Sequence, residues 1–588
     1  MTYSSVGERF LAQCAASGAR EAFRAPGHGG GWQSLTWSET ADRARDLAAG
    51  LLALGVRPEQ RVAIAAATRL EWVLADLAVT LAGAATTTVY PSTNAEDVDY
   101  ILTDCAAVVV FAEDATQLAK LRSGNGFVGD VHHVVLFDGE SDGDAVLSLD
   151  GLAELGRHHL GKHPDAVDQV LAATAPEHLA TIIYTSGTTG RPKGVELTHA
   201  NWLYLGAAIA SEGVIRQDHL QFLWLPLSHV FGKLLLAAQY EIGFVTAVDG
   251  RIDRIVDNVA LIKPSFMAAA PRIFEKIYSR VMSTTDAAGG LQARIAKRAF
   301  AIGIDAVRRR PQGRPVPMRQ RAELAIADRL VFAKIRARLG GNLEYLVSGS
   351  AALAPQIAEW FAAVGLPILE GYGLTETSGA SFVNRPGSVR IGTVGVPLPG
   401  TQVRIAADGE ILLRGSGVMR GYHNLPDQTA AVIDADGWFA TGDIGELDAG
   451  GYLRITDRKK DLVKTSGGKY IAPTAIESAI KAACPLVSNA VVIADGRNFA
   501  SILLTLDPDA VSAGTDPHVT VQRAIDTVNA GLNRWETVKQ YRILPRELSV
   551  EAGELTPSLK IKRAVVVKNY AALVDDIYSG VGHDHRLG

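Results

Sequence analysis

The first part of the chain alternates helical patterns with short apolar runs, and this alternation limits the possible fold more than any other feature. Between about Leu35 and Pro226 the apolar runs are RVAIAAA (61–67), AAVVVFA (106–112), HVVLFD (133–138) and ATIIYTS (180–186). Strands that alternate with helices in this way usually pair in parallel, because each helix carries the chain back across a face of the sheet. The pattern therefore predicts a largely parallel α/β sheet.

Two further regions follow this stretch. Residues 240–370 again combine helices with predicted buried strands, PSFMAAA at 264–270 and LEYLVSG at 343–349. Residues 385–456 are rich in glycine and contain the short strands TQVRIA, GEILLRG and GYLRIT, which are typical of a small antiparallel barrel or sandwich. We therefore expect two α/β layers over about residues 1–384, joined to a small β-barrel.

The end of the chain is predicted to form a separate unit. The charged string DRKKD at 457–461 interrupts the apolar pattern, and about 130 residues follow it. A stretch of this length is sufficient for an independent domain. We therefore place a large N-terminal domain at residues 1–457 and a small, mobile α+β domain at residues 458–588, with the hinge at 457–461.

Composition indicates a globular enzyme of a reducing compartment. A chain of 588 residues exceeds what one hydrophobic core can serve, and its 47% hydrophobic and 21% charged residues argue against a disordered or fibrous protein. The net charge of −5 gives no overall nucleic-acid footprint, and Cys14, Cys105 and Cys484 are too far apart for a zinc knuckle or a redox pair. The start of the sequence has no signal-peptide pattern, and the longest apolar stretch, near 72–90, contains Asp76. A cytoplasmic enzyme without a membrane span is expected.

The segment YTSGTTGRPKG at Tyr184–Gly194 carries the strongest functional signal. It follows a predicted buried strand and contains three glycines, four Ser or Thr hydroxyls and one lysine. Glycine permits backbone conformations that point amide groups at an anion, while the hydroxyls and Lys193 add donors and charge. Because Gly194 rather than Ser or Thr follows the lysine, the segment is not a Walker A loop. These residues predict a cradle for a triphosphate.

This segment resembles the signature loop of the adenylate-forming superfamily, which includes acyl-CoA synthetases, firefly-type luciferases and peptide-synthetase adenylation domains. SGSAA at 348–352 resembles the turn beside adenine, EGYGLTET at 370–377 the motif whose tyrosine stacks on adenine, and TGD at 441–443 the ribose motif. The resemblance implies ATP, Mg²⁺ and coenzyme A as ligands. The nucleotide-binding residues that it implies are Thr185, Ser186, Gly187, Thr188, Thr189, Gly190, Gly349, Ser350, Ala351, Gly371, Tyr372, Gly373, Thr375, Asp443 and Arg458.

The resemblance also assigns roles to single residues. Tyr372 is expected to stack on adenine, and Asp443 and Arg458 are expected to bind the ribose. Glu376 and Thr185 are the expected magnesium ligands, since Mg²⁺ prefers hard oxygen donors that it shares with substrate phosphates. Together with Lys193, Glu376 belongs to the predicted catalytic set.

The predicted small domain carries the segment LTPSLKIKR at 555–563, in which Lys560 matches the family lysine that reaches the reacting carboxylate and the α-phosphate. A mobile ammonium would stabilise the negative charge that develops there. Leu559 stands where the commoner family form has glycine. In the family the small domain rotates about one residue between two half-reactions, and that residue is here Lys460.

The segment KTSGGKYIAP at 464–473 resembles the part of the family that lines the pantetheine tunnel. Lys464 matches a position that contacts the nucleotide. Gly467 and Gly468 are expected to let the backbone approach the thiol arm closely.

The segment LPLSHVFGK at 225–233 resembles the acyl-side motif, and His229 matches the histidine at the mouth of the carboxylate pocket. Some long-chain enzymes carry a tryptophan gate four residues later, where this chain has Lys233. A helical insert at about 283–340 resembles the layout of the long-chain enzymes. Residues 291–340 contain 13 Lys or Arg against three acidic residues, a net charge of about +10. This patch is expected either to contact anionic lipid at the inner membrane face or to be a solvated helical face.

We expect a long-chain-fatty-acid–CoA ligase with fatty acid, ATP and CoA as substrates. Two other activities share its motifs: a fatty acyl-AMP ligase that delivers the acyl group to a carrier protein, and a luciferase-type oxygenase. A Ser-His-Asp hydrolase is not expected, because no GxSxG segment occurs in the sequence.

Overall fold

The computed structural model describes residues 3–27, 31–124, 126–185, 191–309, 314–508, 510, 516–556 and 560–579. Two large sheets with their helices, a small antiparallel sheet and a C-terminal α+β unit make up this part of the chain. The predicted fold class is confirmed.

The first α/β unit is built on an eight-stranded sheet. Its strands, in spatial order, are Gly421–Tyr422, Lys193–Thr198, Leu179–Thr185, Ala85–Val89, Arg61–Ala65, Ala107–Ala112, His133–Leu136 and Val146–Ser148. The pairings from Leu179–Thr185 to Val146–Ser148 are parallel, as predicted. Strand Lys193–Thr198 instead runs antiparallel to Leu179–Thr185, with Thr185 opposite Lys193. The two ends of the predicted phosphate loop therefore lie side by side.

The second α/β unit is built on a nine-stranded sheet. Its strands, in spatial order, are Val396–Pro397, Phe382–Val383, Ile368–Tyr372, Tyr345–Ser348, Phe266–Ala269, Leu220–Leu223, Val245–Val248, Glu21–Pro26 and Trp32–Thr36. Strand Glu21–Pro26 pairs in parallel with Val245–Val248. This pairing was not predicted, because the chain before Leu35 carries only a short apolar run and its partner is more than 200 residues away.

Helices cover both sheets, and local sequence signals explain where one of these helices begins and where another ends. Thr36 and Glu39 form a capping box at the start of Trp37–Ala53. Helix Val230–Ile242 ends at Gly243, whose φ of 84° a residue with a side chain rarely adopts. The α-helices of the N-terminal part are Val6–Ser17, Trp37–Ala53, Leu70–Leu81, Ala95–Asp104, Ala115–Leu121, Leu149–Lys162, Ala166–Ala173, His199–Ser211, Val230–Ile242, Ile255–Ile262, Pro271–Ala288, Gly290–Arg309, Met318–Ala327, Ala333–Arg338, Pro355–Val364 and Pro426–Ala430.

The β-rich region forms one antiparallel sheet. In the structure the predicted barrel is a four-stranded sheet in the order Gln402–Ile405, Glu410–Arg414, Phe439–Leu447 and Leu453–Arg458. Strand Leu453–Arg458 is the last strand before the predicted hinge.

The C-terminal unit combines a three-stranded sheet with helices. Its sheet contains Val487–Ile493, Ala500–Leu506 and Val538–Ile543, and its helices are Pro473–Ala483, Pro517–Asn529, Arg563–Asn569 and Ala571–Tyr578. A short hairpin pairs Val463–Lys464 with Tyr470–Ile471. The unit contacts the start of helix Pro271–Ala288, where Lys481 Nζ lies 3.0 Å from Glu275 Oε1.

A buried ion pair joins the two large α/β units. Lys233 Nζ lies 2.5 and 2.6 Å from the two carboxylate oxygens of Asp76, and the Thr86 hydroxyl donates a 2.7 Å hydrogen bond to the same carboxylate. The side chains of Lys233 and Asp76 are 9% and 5% exposed, and the ammonium lies 5.6 and 5.5 Å from the ring centroids of Trp72 and Trp202. Lys233, at the position that the family resemblance compares with a tryptophan gate, is therefore a buried link between the two units.

No helix in the described part of the chain is both long and apolar enough to cross a lipid bilayer.

Candidate active site

One cavity of about 2170 Å³ brings together most of the predicted site residues. Its wall includes the carboxyl ends of parallel strands, the part of an α/β sheet where ligands commonly bind, and it also includes residues of the C-terminal unit. The predicted residues on this wall are Thr185, Lys193, His229, Gly349, Ser350, Ala351, Gly371, Tyr372, Gly373, Thr375, Glu376, Asp443, Arg458, Lys460 and Lys560. The predicted phosphate-loop residues Ser186, Gly187, Thr188, Thr189 and Gly190 lie outside the described residues.

Tyr372, Asp443 and Arg458 form one connected group. The Tyr372 hydroxyl donates a 2.6 Å hydrogen bond to Asp443 Oδ2, and Arg458 Nε lies 3.4 Å from Asp443 Oδ1. The antiparallel pairing places Asp443 directly opposite Arg458. Burial raises the pKa of Asp443, and Arg458 opposes that rise. A nearly buried carboxylate held from both sides is suited to accept hydrogen bonds from the vicinal hydroxyls of a ribose.

Glu376 and Lys193 approach the cavity from two different elements. Glu376 lies in the short 3₁₀ turn Thr375–Thr377, and Lys193 begins the strand opposite Thr185. Tyr422 lies between them: its hydroxyl donates a 2.9 Å hydrogen bond to Glu376 Oε1, and Lys193 Nζ lies 4.9 Å from its ring centroid. Tyr422 was not predicted, because these contacts depend on pairing between distant segments and no motif marks it.

The oxygen donors on the wall fit a magnesium ion that arrives with ATP. Among the described residues no cluster of three or more His, Cys, Asp or Glu side chains could hold a metal by itself. Mg²⁺ commonly binds through one or two protein oxygens plus substrate phosphates and water. The Glu376 carboxylate and the Thr185 hydroxyl provide such a set.

His229 and Lys560 meet in the same cavity although they belong to different domains. His229 is the N-cap of helix Val230–Ile242, where its Nδ1 accepts a 3.1 Å hydrogen bond from the Phe231 N–H. Burial and the nearby Lys560 ammonium lower the pKa of His229 to about 3. The imidazole is therefore neutral with its proton on Nε2, so it can donate a hydrogen bond but is already committed at Nδ1.

The Lys560 side chain is exposed to the cavity, whose protein walls nevertheless reduce the solvation of its ammonium. This desolvation lowers its pKa, Arg458 adds to the effect, and the carboxylates of Glu376 and Asp443 oppose it. An anion in the cavity would favour the charged ammonium further. The position is suited to a lysine that offsets charge on a phosphate.

Two backbone features shape the cavity wall at the SGSAA turn, 348–352. Ser350, in the SGSAA turn, has a φ of 70°, which is uncommon for a residue other than glycine. A side chain at Gly349 would come within 3.1 Å of the Phe231 ring. Nearby, Glu370 is buried, and burial raises its pKa to about 7, while the backbone of Leu353 and Gly392 opposes that rise. Glu370 belongs to EGYGLTET but was not predicted as a site residue.

One side of the cavity is apolar. The side chains there come from the helices His199–Ser211 and Val230–Ile242 and from neighbouring strands, and several of them pack as one hydrophobic cluster. They are Ile209, Val214, Ile215, Phe231, Leu234, Leu235, Ala238, Phe266, Tyr345, Val347 and Leu369. The Tyr345 hydroxyl donates a 3.2 Å hydrogen bond to the carbonyl oxygen of Val214. This surface can bury an alkyl chain.

The remaining predicted residues lie elsewhere. Lys464, Gly467 and Gly468 are exposed in the hairpin of the C-terminal unit and are not on the cavity wall. Gly468 has a φ of 78°, and Ser466 N–H donates to the Arg497 carbonyl. The nucleotide contact of Lys464 stays a prediction.

Comparisons with known proteins agree with this geometry. The AMP-binding enzyme family matches residues 10–423, and the AMP-binding enzyme C-terminal domain matches residues 460–582. The long-chain-fatty-acid–CoA ligase FadD15 of Mycobacterium bovis is 36% identical over 570 residues, which cover 94% of this chain and 93% of that protein. The human long-chain-fatty-acid–CoA ligase ACSBG1 is 30% identical, with 93% of this chain and 82% of that protein covered.

A solved structure supports the fold. The anthranilate CoA ligase AuaEII in complex with anthranoyl-AMP superposes with a TM-score of 0.75 at 20% identity, and the match covers 98% of this chain and 99% of that one. At this identity the likeness concerns the fold alone. The family matches and the relatives above show the family as well. The chain belongs to the AMP-binding enzyme family, the adenylate-forming superfamily that its phosphate loop resembles.

Proposed function

We propose that this protein activates a long-chain fatty acid with ATP as an acyl-adenylate and then forms a thioester with coenzyme A, releasing pyrophosphate and AMP. The observation that carries the proposal is the position of Lys560, which the C-terminal unit places in one cavity with Glu376, Asp443 and His229. The names of FadD15 and ACSBG1 support the substrate class.

In the first half-reaction a carboxylate oxygen attacks the α-phosphorus of ATP and pyrophosphate leaves. Two anions must approach each other, and negative charge develops on the phosphoryl oxygens. The Lys560 ammonium offsets this charge, and His229 orients the carboxylate by donating from Nε2. Since Nδ1 already accepts the Phe231 N–H, His229 binds and orients but does not remove a proton.

The nucleotide is held by separate groups along the cavity. Tyr372 stacks on adenine, and Asp443 with Arg458 binds the ribose hydroxyls. Lys193 and the predicted phosphate loop bind the triphosphate, and Glu376 with Thr185 would hold the magnesium ion. When bound, that ion neutralises charge on the phosphate oxygens.

The apolar side of the cavity holds the acyl chain. From Gly349, beside the nucleotide, to Tyr345 the strand advances four residues, or about 13 Å at the usual rise. Carbon–carbon bonds of about 1.5 Å in an extended zigzag advance an alkyl chain by roughly 1.3 Å each, so about ten methylenes match this distance. Each buried methylene contributes about 0.8 kcal/mol, which favours long acids over acetate.

Thioester formation requires the other face of the C-terminal unit. The side chain of Lys459 is held by Asp408 and Glu410, each at 2.7 Å, and Lys460 is the next residue. Rotation at Lys460 would withdraw Lys560 and bring the hairpin with Lys464, Gly467 and Gly468 toward the acyl-adenylate, where the glycines leave room for the thiol arm.

The test is AMP production with and without CoA across acids from acetate to about C18. We expect CoA-dependent AMP release, with catalytic efficiency rising with chain length until the apolar surface is filled. A preference for acetate over palmitate would contradict the substrate class. An adenylate that is formed but not consumed by CoA would indicate a carrier-protein acceptor, and oxygen consumption would indicate an oxygenase.

We further propose that the helical insert at about 283–340, here called the basic insert, contacts anionic membranes and that the enzyme takes the fatty acid from them. Four exposed apolar residues on its helices support this proposal, because they lie among the arginines that give residues 291–340 their net charge of about +10. Leu291, Met318, Ile326 and Leu330 are between 46% and 83% exposed. A surface that combines cations with exposed apolar side chains suits an anionic interface.

Sedimentation with phosphatidylglycerol vesicles tests this contact. Binding is expected at low salt, with weaker binding as salt rises and in the double variant Met318→Gln/Ile326→Gln. Binding that does not respond to salt, or no binding at low salt, would remove the membrane role while leaving the activity proposal intact.

A further inference from the structure

Tyr422 lies between the predicted magnesium ligand Glu376 and the predicted phosphate-binding Lys193, at a position that no motif marks. It is half-buried on the cavity wall, its hydroxyl donates to Glu376 Oε1 at 2.9 Å, and its ring centroid lies 4.9 Å from Lys193 Nζ. A hydrogen bond to one carboxylate oxygen limits rotation of the carboxylate plane. A cation over a ring face is attracted by the electrons of the ring. One side chain therefore restrains an anion and a cation on the same wall.

The backbone around Tyr422 is tied to the same two elements. Tyr422 stands opposite Val195 in the antiparallel pairing, and His423 N–H donates to the Gly194 carbonyl at 2.7 Å. On the other side, Met419 N–H donates to the Glu376 carbonyl at 2.8 Å. The segment thus clamps the strand that begins at Lys193 to the turn that carries Glu376.

Side-chain contacts of Glu196 help to fix the register of the strands. Glu196 lies 2.7 Å from Arg420 Nε and 2.6 Å from His423 Nδ1. Side chains alternate along a strand, so Glu196 and His423 point away from the face that carries Lys193 and Tyr422. A slip of one residue would turn Tyr422 to the wrong face and would break the contacts of Glu196 with Arg420 and His423.

We propose that Tyr422 is a positioning residue that sets the Glu376 carboxylate and the Lys193 ammonium around the phosphates and metal ion of bound ATP. The inference rests on the proposed function, because it takes Glu376 as a ligand of that ion. The hydroxyl acts on the metal through Glu376, whereas the ring acts on the phosphates through Lys193. The two parts of the side chain can be removed separately.

The experiment compares Tyr422→Phe, which removes only the hydroxyl, with Tyr422→Leu, which removes the ring as well. The matched control is Tyr452→Phe, whose hydroxyl donates to the Ser388 carbonyl at 2.9 Å away from the cavity wall. Two affinities are measured without turnover: that of Mn²⁺, by electron paramagnetic resonance with a non-hydrolysable ATP analogue, and that of the analogue alone in the presence of a chelator. Circular dichroism melting checks that each variant is folded.

Tyr422→Phe is expected to weaken Mn²⁺ binding roughly 10- to 100-fold, the usual effect of removing a group that orients a metal ligand. Binding of the metal-free analogue should be unchanged in Tyr422→Phe and weaker in Tyr422→Leu. Mn²⁺ affinity in Tyr422→Phe equal to that of Tyr452→Phe would overturn the role of the hydroxyl, and equal metal-free affinity in both Tyr422 variants would overturn that of the ring. If the wild-type protein binds neither Mn²⁺ nor the analogue, the proposed function itself fails.

Discussion

The ion pair between Lys233 and Asp76 is a buried contact whose loss should strongly destabilise the N-terminal part of the chain. Both side chains are nearly inaccessible, and the ammonium reaches both carboxylate oxygens. Lys233→Met keeps the approximate volume but leaves the Asp76 charge without its counter-ion. Removing one partner of a buried pair costs about 3–5 kcal/mol. The expected loss of unfolding free energy is therefore about 4 kcal/mol.

Replacing both partners should recover most of that loss. In Asp76→Leu/Lys233→Met no uncompensated charge remains, and apolar replacements of buried pairs are often neutral or stabilising. The Thr86 hydroxyl loses its acceptor, which costs about 1–3 kcal/mol. The double variant should consequently fall within about 2 kcal/mol of the wild-type protein.

Urea unfolding followed by tryptophan fluorescence is the assay, because Trp72 and Trp202 flank the ammonium. The control is Lys297→Met, which removes an exposed lysine 2.7 Å from Asp286 and should cost less than about 1 kcal/mol. The reasoning is refuted if Lys233→Met unfolds like the control, or if the double variant is as unstable as the single one.

Three further outcomes test the site. Lys560→Ala should lower ATP–pyrophosphate exchange by several orders of magnitude but leave thioester formation from supplied acyl-adenylate intact. Gly467→Leu should lower thioester formation and leave ATP–pyrophosphate exchange intact. Equal damage to both half-reactions in either variant would contradict the two-conformation proposal. Glu376→Gln should move the Mg²⁺ titration to higher concentration and slow adenylation, and an unchanged titration would exclude it as a ligand. The pKa of His229 is lowered to about 3, so the imidazolium loses its proton well below neutrality and the imidazole is neutral at pH 6 to 8. His229→Asn should therefore reduce the rate of adenylation without changing the pH profile of that rate between pH 6 and 8. If the variant's profile lacks an ionisation that the wild-type profile shows in this range, His229 titrates there.

The parts of the fold that follow from local pattern were predictable. The apolar runs at 61–67, 106–112 and 180–186 became strands of one sheet, because short buried runs between helices have few alternatives. The contribution of strand Glu21–Pro26 to the second sheet was not predictable, since its partner Val245–Val248 is distant in sequence and no local pattern encodes the pairing.

The residues of the candidate site were also predictable only where a local motif marks them. Motif order was enough to predict many residues that share the cavity, including Lys560 from the C-terminal unit, but it also included Lys464, Gly467 and Gly468, which lie off the wall. It gave no indication of Tyr422 or of the Lys233–Asp76 pair, because both depend on where distant segments meet. The left-handed backbone of Ser350 was equally hidden, since serine has no preference for it.

The long-range pairings of both large sheets bear on how the protein is made. Strand Glu21–Pro26 cannot pair with Val245–Val248, nor Lys193–Thr198 with Gly421–Tyr422, until the later strand has been synthesised. Each later strand follows its partner by more than 220 residues. A ribosome adding about 5–20 residues per second needs on the order of 10–40 s to cover such a gap. During that interval each nascent sheet presents an unpaired strand edge beside apolar surface, the condition under which chains aggregate. Synthesis of the N-terminal domain should therefore depend on chaperones that bind nascent chains until residue 422 has left the ribosome.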